Sequence, residues 1–136
     1  MSILDTMDTT KFDREKILEH YHHPRNIGHL DAPDFSFEEY NHSCGDQVHI
    51  EGHIKDDIIT ELVFIGSGCV ISQAASSMLT EACKGMSIEN ALALDKDFML
   101  KLIGISLGPT RLRCALLPLY ALKHGLLAYN KELESE

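Results

Sequence analysis

Gly66-Ser67-Gly68-Cys69-Val70-Ile71-Ser72-Gln73-Ala74-Ala75-Ser76-Ser77-Met78-Leu79 is the stretch on which the reading of this chain turns. An apolar run of β character, Ile58 to Ile65, leads into its glycines. Beyond them, apolar residues recur at Val70, Ile71, Ala74, Ala75, Met78, Leu79 and Ala82, a single stripe at helical period. The pattern predicts a strand, a tight glycine loop and a helix, with Cys69 at the helix N-terminus. Unpaired N–H groups and the positive end of the helix dipole favour a thiolate at such a position. A thiolate is both a nucleophile and a soft metal ligand.

Working outward, Val48 to Ile54 alternates apolar and polar residues, as a half-buried strand does. Lys55-Asp56-Asp57 makes a turn, and Ile58 to Ile65 returns antiparallel. Phe35 to Tyr40 alternates similarly and predicts an earlier strand, followed by the polar turn Asn41-His42-Ser43-Cys44-Gly45-Asp46. Upstream, Thr10 or Asp13 caps a helix to about Tyr21, with Phe12, Ile17, Leu18 and Tyr21 on one side. His23-Pro24-Arg25-Asn26-Ile27-Gly28 ends it. Residues 1–9 and 131–136 read as flexible tails around a single domain of residues 10–130. The histidines at 20, 22 and 23 read as a solvated helix end, and His49 and His53 as members of an exposed strand face.

Downstream, Lys84-Gly85 stops the central helix, Ser87 opens a short helix to about Leu94, and Asp95 caps another through Leu102 or Ile103. Residues 104–109 read as a loop. The last helix carries Leu116, Leu119, Tyr120, Leu126 and Leu127. Proline is tolerated in the first turn of a helix, so Pro118 places the start of that helix near Cys114 or Ala115. On that reading Cys114 shares the electrostatic position of Cys69.

The composition narrows the function. With 136 residues, 44% of them hydrophobic, the chain is long enough for one ordinary core. A formal net charge of −9 argues against a nucleic acid or an anionic membrane as partner. The opening residues are neither basic nor apolar enough for a targeting peptide, and no apolar run approaches the roughly 18 residues of a membrane span. The 4 cysteines are accordingly expected as free or metal-bound thiols in a bacterial-type cytoplasm.

Cys44, Asp46, Cys69 and Cys114 all fall at predicted element boundaries, where loops carry function on a rigid scaffold. Three thiolates and a carboxylate suit a tetrahedral zinc site, and thiolates suit iron–sulfur chemistry. Gly45 lets the Cys44 and Asp46 side chains turn to one side. The intervals between the cysteines match no paired Cys-x-x-Cys knuckles. The opposing reading is three unrelated small buried residues. Cys83, on the apolar stripe beside Leu79 and Ala82, reads as core.

A resemblance adds to this. Tyr21-His22-His23-Pro24-Arg25-Asn26-Ile27-Gly28, Cys44-Gly45-Asp46, Gly66-Ser67-Gly68-Cys69 with Ser72 and Ala74-Ala75-Ser76-Ser77, and Arg113-Cys114 together resemble the IscU/SufU/NifU-type iron–sulfur cluster assembly proteins. The likeness spans roughly residues 12–128. It implies an α+β sandwich, a small antiparallel three-stranded sheet with helices packed on one face, in agreement with the element order above. It also implies a cysteine desulfurase of the SufS/IscS kind as sulfur donor, apo iron–sulfur proteins as recipients, and a transient cluster, [2Fe–2S] by resemblance. Cys44, Cys69 and Cys114 map onto the three site cysteines and Asp46 onto the aspartate of the Cys-Gly-Asp block.

Three departures stand out. Arg113 occupies the place of the histidine that precedes the last cysteine in IscU proteins, and is a candidate charge beside the cluster. The Cys69–Cys114 interval has no room for the insertion usual in SufU proteins. Leu107-Gly108-Pro109-Thr110-Arg111 stands where IscU proteins carry the Leu-Pro-Pro-Val-Lys recruiting motif, so a dedicated chaperone is not implied.

The expected chemistry is attack of a thiolate, Cys44 or Cys114, on the terminal sulfur of a donor persulfide. Asp46 is expected as the exchangeable oxygen ligand, because carboxylate holds a thiophilic metal less firmly than thiolate. Whether the chain counts as an enzyme stays open on this reading: a scaffold is expected not to be one, whereas a SufU-like relay would be a sulfurtransferase. The alternatives are a zinc-bound sulfurtransferase that relays sulfur, a protein-binding module clamped by structural zinc, and, more distantly, a cysteine hydrolase.

Overall fold

The structure, a computed structural model, describes the backbone of residues 3–135 and the side chains of residues 13–134. Its order is α1 (Ile3–His22), β1 (Phe35–Asn41), β2 (Asp46–Lys55), β3 (Ile58–Ser67), α2 (Val70–Cys83), α3 (Ile88–Leu92), α4 (Lys96–Ile103) and α5 (Pro109–Ser135). The strands form one antiparallel sheet in the order β1-β2-β3. This is the expected α+β sandwich.

Asp56 and Asp57 both have positive φ, 53° and 63°, which is the twist a two-residue hairpin requires between β2 and β3. On β2, Val48 and Ile50 are fully buried and meet Phe64 and Leu62 of β3 in the core with Ala75, Leu79, Leu119 and Leu122 of α2 and α5. The alternate residues His49 and Glu51 face the other side, as the two-residue period of a strand dictates. Segment 26–34 covers that second side. Its Asn26 and Gly28 pair with Phe64 at the edge of β3, Leu30 N–H donates to Glu51, and Asp34 N–H donates to Gly52 at the start of β1. Gly125 lets α5 approach β1 closely: a Cβ there would lie 2.9 Å from the Phe35 ring.

Three boundaries differ from expectation. α1 begins at Ile3, so residues 3–9, expected as tail, are helical; residues 1 and 2 and the Phe12 side chain lie outside the described residues. Residues 3–12 contain neither proline nor glycine, and nothing in them interrupts the helix. α5 likewise continues through Ser135 over most of the expected C-terminal tail.

The largest correction is at the start of α5. The helix begins at Pro109, and Pro118 lies inside it. Pro109 occupies the first helical position, where its missing N–H costs nothing. Pro118 forfeits a bond to the Cys114 carbonyl, an interior penalty of about 3 kcal/mol. Burial of Ala115, Leu116, Leu117, Leu119, Ala121 and Leu122 outweighs it, at about 1.5–3 kcal/mol for each large side chain. Cys114 is therefore within the second turn and not at a helix end.

In α1, Ile17 is buried but Leu18 and Tyr21 are exposed. His20, expected in solvent, is buried instead. Its Nδ1 lies 2.7 Å from Ser77 Oγ, and the same hydroxyl accepts the Arg25 N–H at 2.8 Å. Burial, and then the charge of Arg25, push the ring's pKa below its ordinary value, which favours the neutral imidazole against α2.

Candidate metal and sulfur site

Four side chains from four places in the chain meet where the open ends of β2 and β3 reach α2 and α5. Cys44 is carried by the turn before β2, where Gly45 has φ 73° and donates its N–H to Asn41 O at 2.9 Å. Asp46 is the first residue of β2 and is 1% exposed. Cys69 is the N-cap of α2, and its Sγ accepts the Ser72 N–H at 3.4 Å. Cys114 projects from α5 and is 2% exposed.

The Asp46 carboxylate is the hub. Its Oδ2 lies 3.1 Å from Cys44 Sγ and 3.4 Å from Cys69 Sγ, and its Oδ1 accepts the Cys69 N–H at 2.8 Å. Cys114 also bonds to it. Cys44 Sγ and Cys114 Sγ are 3.3 Å apart. Ligand atoms of Cys44, Asp46 and Cys114 all lie within 4.8 Å of one another. Burial pushes the Asp46 carboxyl upward, but bonds from Cys114, Cys44 and Cys69 outweigh it and hold the group below the ordinary carboxylate range. Three sulfurs gathered around one carboxylate offer a donor set that a soft cation could occupy, displacing any thiol protons as it bound.

Gly68 makes this geometry sterically feasible. Its φ is +133°, and a Cβ there would lie 2.7 Å from Asp46 Cγ and 2.9 Å from Asp46 Cα. The glycine loop thus supplies both the sharp turn into α2 and the space the carboxylate occupies.

The thiols differ in environment. Cys44 is exposed and Cys69 intermediate. Burial, followed by its bonds to Asp46, Cys44 and Cys69, pushes the Cys114 thiol well up. This reverses the expectation of a stabilised thiolate at Cys114: the residue is inside the helix, without the free N–H groups that Cys69 uses. Cys83 is in the core as expected, and burial pushes its thiol up to about 12.

A cleft of about 420 Å³ opens over the site, lined by Cys44, Cys69, Val70, Ile71, Thr110, Arg111 and Cys114. Arg111 lines it, while Arg113 is exposed elsewhere on α5. A residue three positions before Cys114 shares its helix face; its immediate neighbour is rotated by roughly 100°. Pro109 as a helix-opening proline was the signal that would have pointed to Arg111.

The NifU-like N-terminal domain family model matches residues 12–135. This chain belongs to that family, the class that its sheet, helices and cysteine-lined site describe. It is 35% identical to the zinc-dependent sulfurtransferase SufU of Bacillus subtilis, over 93% of this chain and 95% of that protein. It is 33% identical to the iron–sulfur cluster assembly scaffold protein IscU of Rickettsia prowazekii, over 90% of this chain and 95% of that protein. A nitrogen-fixing NifU-like N-terminal protein from Brucella abortus shares the fold, with a TM-score of 0.73 at 22% identity over 93% of this chain and 98% of that one. Among the described residues, no helix is long and apolar enough to cross a membrane.

Proposed function

We propose that the protein is an iron–sulfur cluster assembly scaffold, receiving sulfur from a cysteine desulfurase and passing the cluster to apo-proteins. The observation that carries this is the convergence of Cys44, Cys69 and Cys114 on the Asp46 carboxylate under an open cleft. Thiolate donors suit iron and zinc alike, and one carboxylate gives the set a weaker, exchangeable member. The cluster built there is a [2Fe–2S] unit, held by the three cysteines with Asp46 as its labile ligand.

Cys44 is the sulfur acceptor. It is exposed on a turn, whereas the Cys114 thiol is buried and held protonated. The Cys44 thiolate attacks the terminal sulfur of the donor persulfide. A new S–S bond forms on Cys44, the donor S–S bond breaks, and the desulfurase cysteine leaves as a thiolate, with no net oxidation.

Anaerobic reconstitution with iron, cysteine and a desulfurase tests the reading. Stoichiometric visible absorption that moves to an apo-protein is the expected result, with Asp46→Ala slowing its release. Release at the wild-type rate from that variant removes the assigned role of Asp46. A second reading, a zinc-bound sulfur relay, is favoured by the likeness to the zinc-dependent sulfurtransferase. It predicts zinc that persists through reconstitution, together with desulfurase activation and no transferable cluster.

A further inference from the structure

On the sheet face opposite the thiols, segment 26–34 brings His29 over β2. There His29 Nδ1 lies 3.3 Å from Glu51 Oε2, and His49 Nε2 lies 3.0 Å from the same oxygen. Glu51 Oε1 is held separately by the Leu30 N–H at 2.8 Å. We propose that His29, His49 and Glu51 form a second metal site, for a divalent first-row transition-metal ion, independent of the cysteine site.

The two His–Glu51 separations are those of neighbouring ligands in a coordination polyhedron. Imidazole nitrogen and carboxylate oxygen each sit about 2.1 Å from such an ion, so neighbouring ligand atoms stand about 3.0 Å apart at a right angle and about 3.4 Å at the tetrahedral angle. The two observed separations fall in that interval, and the three ligand atoms lie within 4.8 Å of one another. Two imidazoles and a carboxylate are a recognised donor set for a divalent metal, with the remaining positions open.

The surroundings prepare it. Glu51 is 8% exposed yet hydrogen-bonded through both oxygens, so one oxygen is fixed by the backbone while the other faces the two rings. Backbone anchoring of a ligating carboxylate is the outer-shell support that metal sites require. In the metal-free protein the ring N–H groups share Glu51 Oε2. An ion replaces those protons and joins segment 26–34 to β2. The His29 side chain is 66% exposed, leaving the outer positions to water and the ion free to exchange. Such an ion would be bound by oxygen and nitrogen alone, on the opposite side of β2 from Val48 and Ile50, and so does not compete for the thiols.

Equilibrium dialysis of the reduced full-length protein against Zn²⁺ alone tests this. Wild type is expected to take up one equivalent more than His29→Ala, His49→Ala or Glu51→Gln. Protein with Cys44, Cys69 and Cys114 replaced by serine is expected to keep that equivalent while losing the thiol-held one, which separates this inference from the proposed function. Because His29 is largely in solvent, His29→Ala retains the fold and reads the site even where the other variants fail to fold. Imidazole ¹⁵N shifts of His29 and His49 should follow the same equivalent. Equal stoichiometry in wild type and His29→Ala, or unshifted imidazoles, would mean only a hydrogen-bonded latch and would overturn the proposal.

Discussion

Replacing Gly68 with alanine tests the geometry on which the thiol site depends. Two costs combine there. A φ of +133° is foreign to an L side chain, and holding one in such a region costs about 1–3 kcal/mol. The new Cβ would also press on Asp46, 2.7 Å from Cγ and 2.9 Å from Cα, and overpacking of this kind costs about 1–3 kcal/mol. Together they give about 2–6 kcal/mol, or roughly 6–18 °C in melting temperature for a domain of this size. Gly85→Ala is the internal control, because Gly85 has φ +88° with nothing within 4 Å of the added Cβ, and so carries the backbone cost alone. Displacing Asp46 also removes the partner of all three sulfurs, so zinc affinity at the cysteine site should fall by about tenfold or more in Gly68→Ala and stay level in Gly85→Ala. Differential scanning fluorimetry and competition with a chromophoric chelator read the two quantities. Equal melting temperatures and equal zinc affinities for the two variants would refute the claim that Gly68 exists to seat the carboxylate.

Other consequences are as concrete. Burial, and then the charge of Arg25, lower the His20 pKa from its ordinary 6.5. The unfolded chain then binds the extra proton first, so His20 supports stability fully above 6.5 and loses that support as pH falls below it. The carboxyls of Asp46 and Glu51, held below their ordinary 3.8 and 4.5, give way only in more acidic solution. Urea midpoints should therefore decline just below pH 6.5 in wild type, and His20→Gln should flatten that decline. Iodoacetamide on the metal-free protein should label Cys44 first and leave Cys83, fully buried with its thiol pushed up to about 12, unmodified until unfolding; early mass addition at Cys83 would contradict its place in the core. Arg111→Ala should slow cluster loading several-fold while Arg113→Ala leaves it near wild type, since Arg111 lines the cleft. The reverse order would assign the charge beside the site to Arg113.

Much of this protein follows from local chemistry that a linear reading can see. The alternation of Val48 to Ile54, the apolar run to Ile65 and the stripe from Val70 to Ala82 are short-range patterns, and each became the element expected. Capping residues were equally legible: Cys69, Ser87 and Asp95 all stand as N-caps, with Gly104 closing α4 in the left-handed region. The four residues of the cysteine site were identifiable because chemistry-bearing side chains at element boundaries, in familiar blocks, point to a shared purpose.

What the tertiary structure decided concerns groups whose surroundings come from distant parts of the chain. A local rule puts Pro118 in the first turn of α5 and so starts the helix near Cys114, but packing of its leucines against the sheet carries the helix back to Pro109, which moves Cys114 off a helix end and Arg111 into the cleft. The protonation of Cys114 depends on solvent excluded by its neighbours, and the burial of His20 on Ser77, 57 positions away. His49 reads as a member of an exposed strand face until the segment before β1 folds over the sheet and brings His29 beside Glu51. Periodicity and capping act over a few residues, whereas desolvation and ligand geometry are set by whatever the fold places alongside.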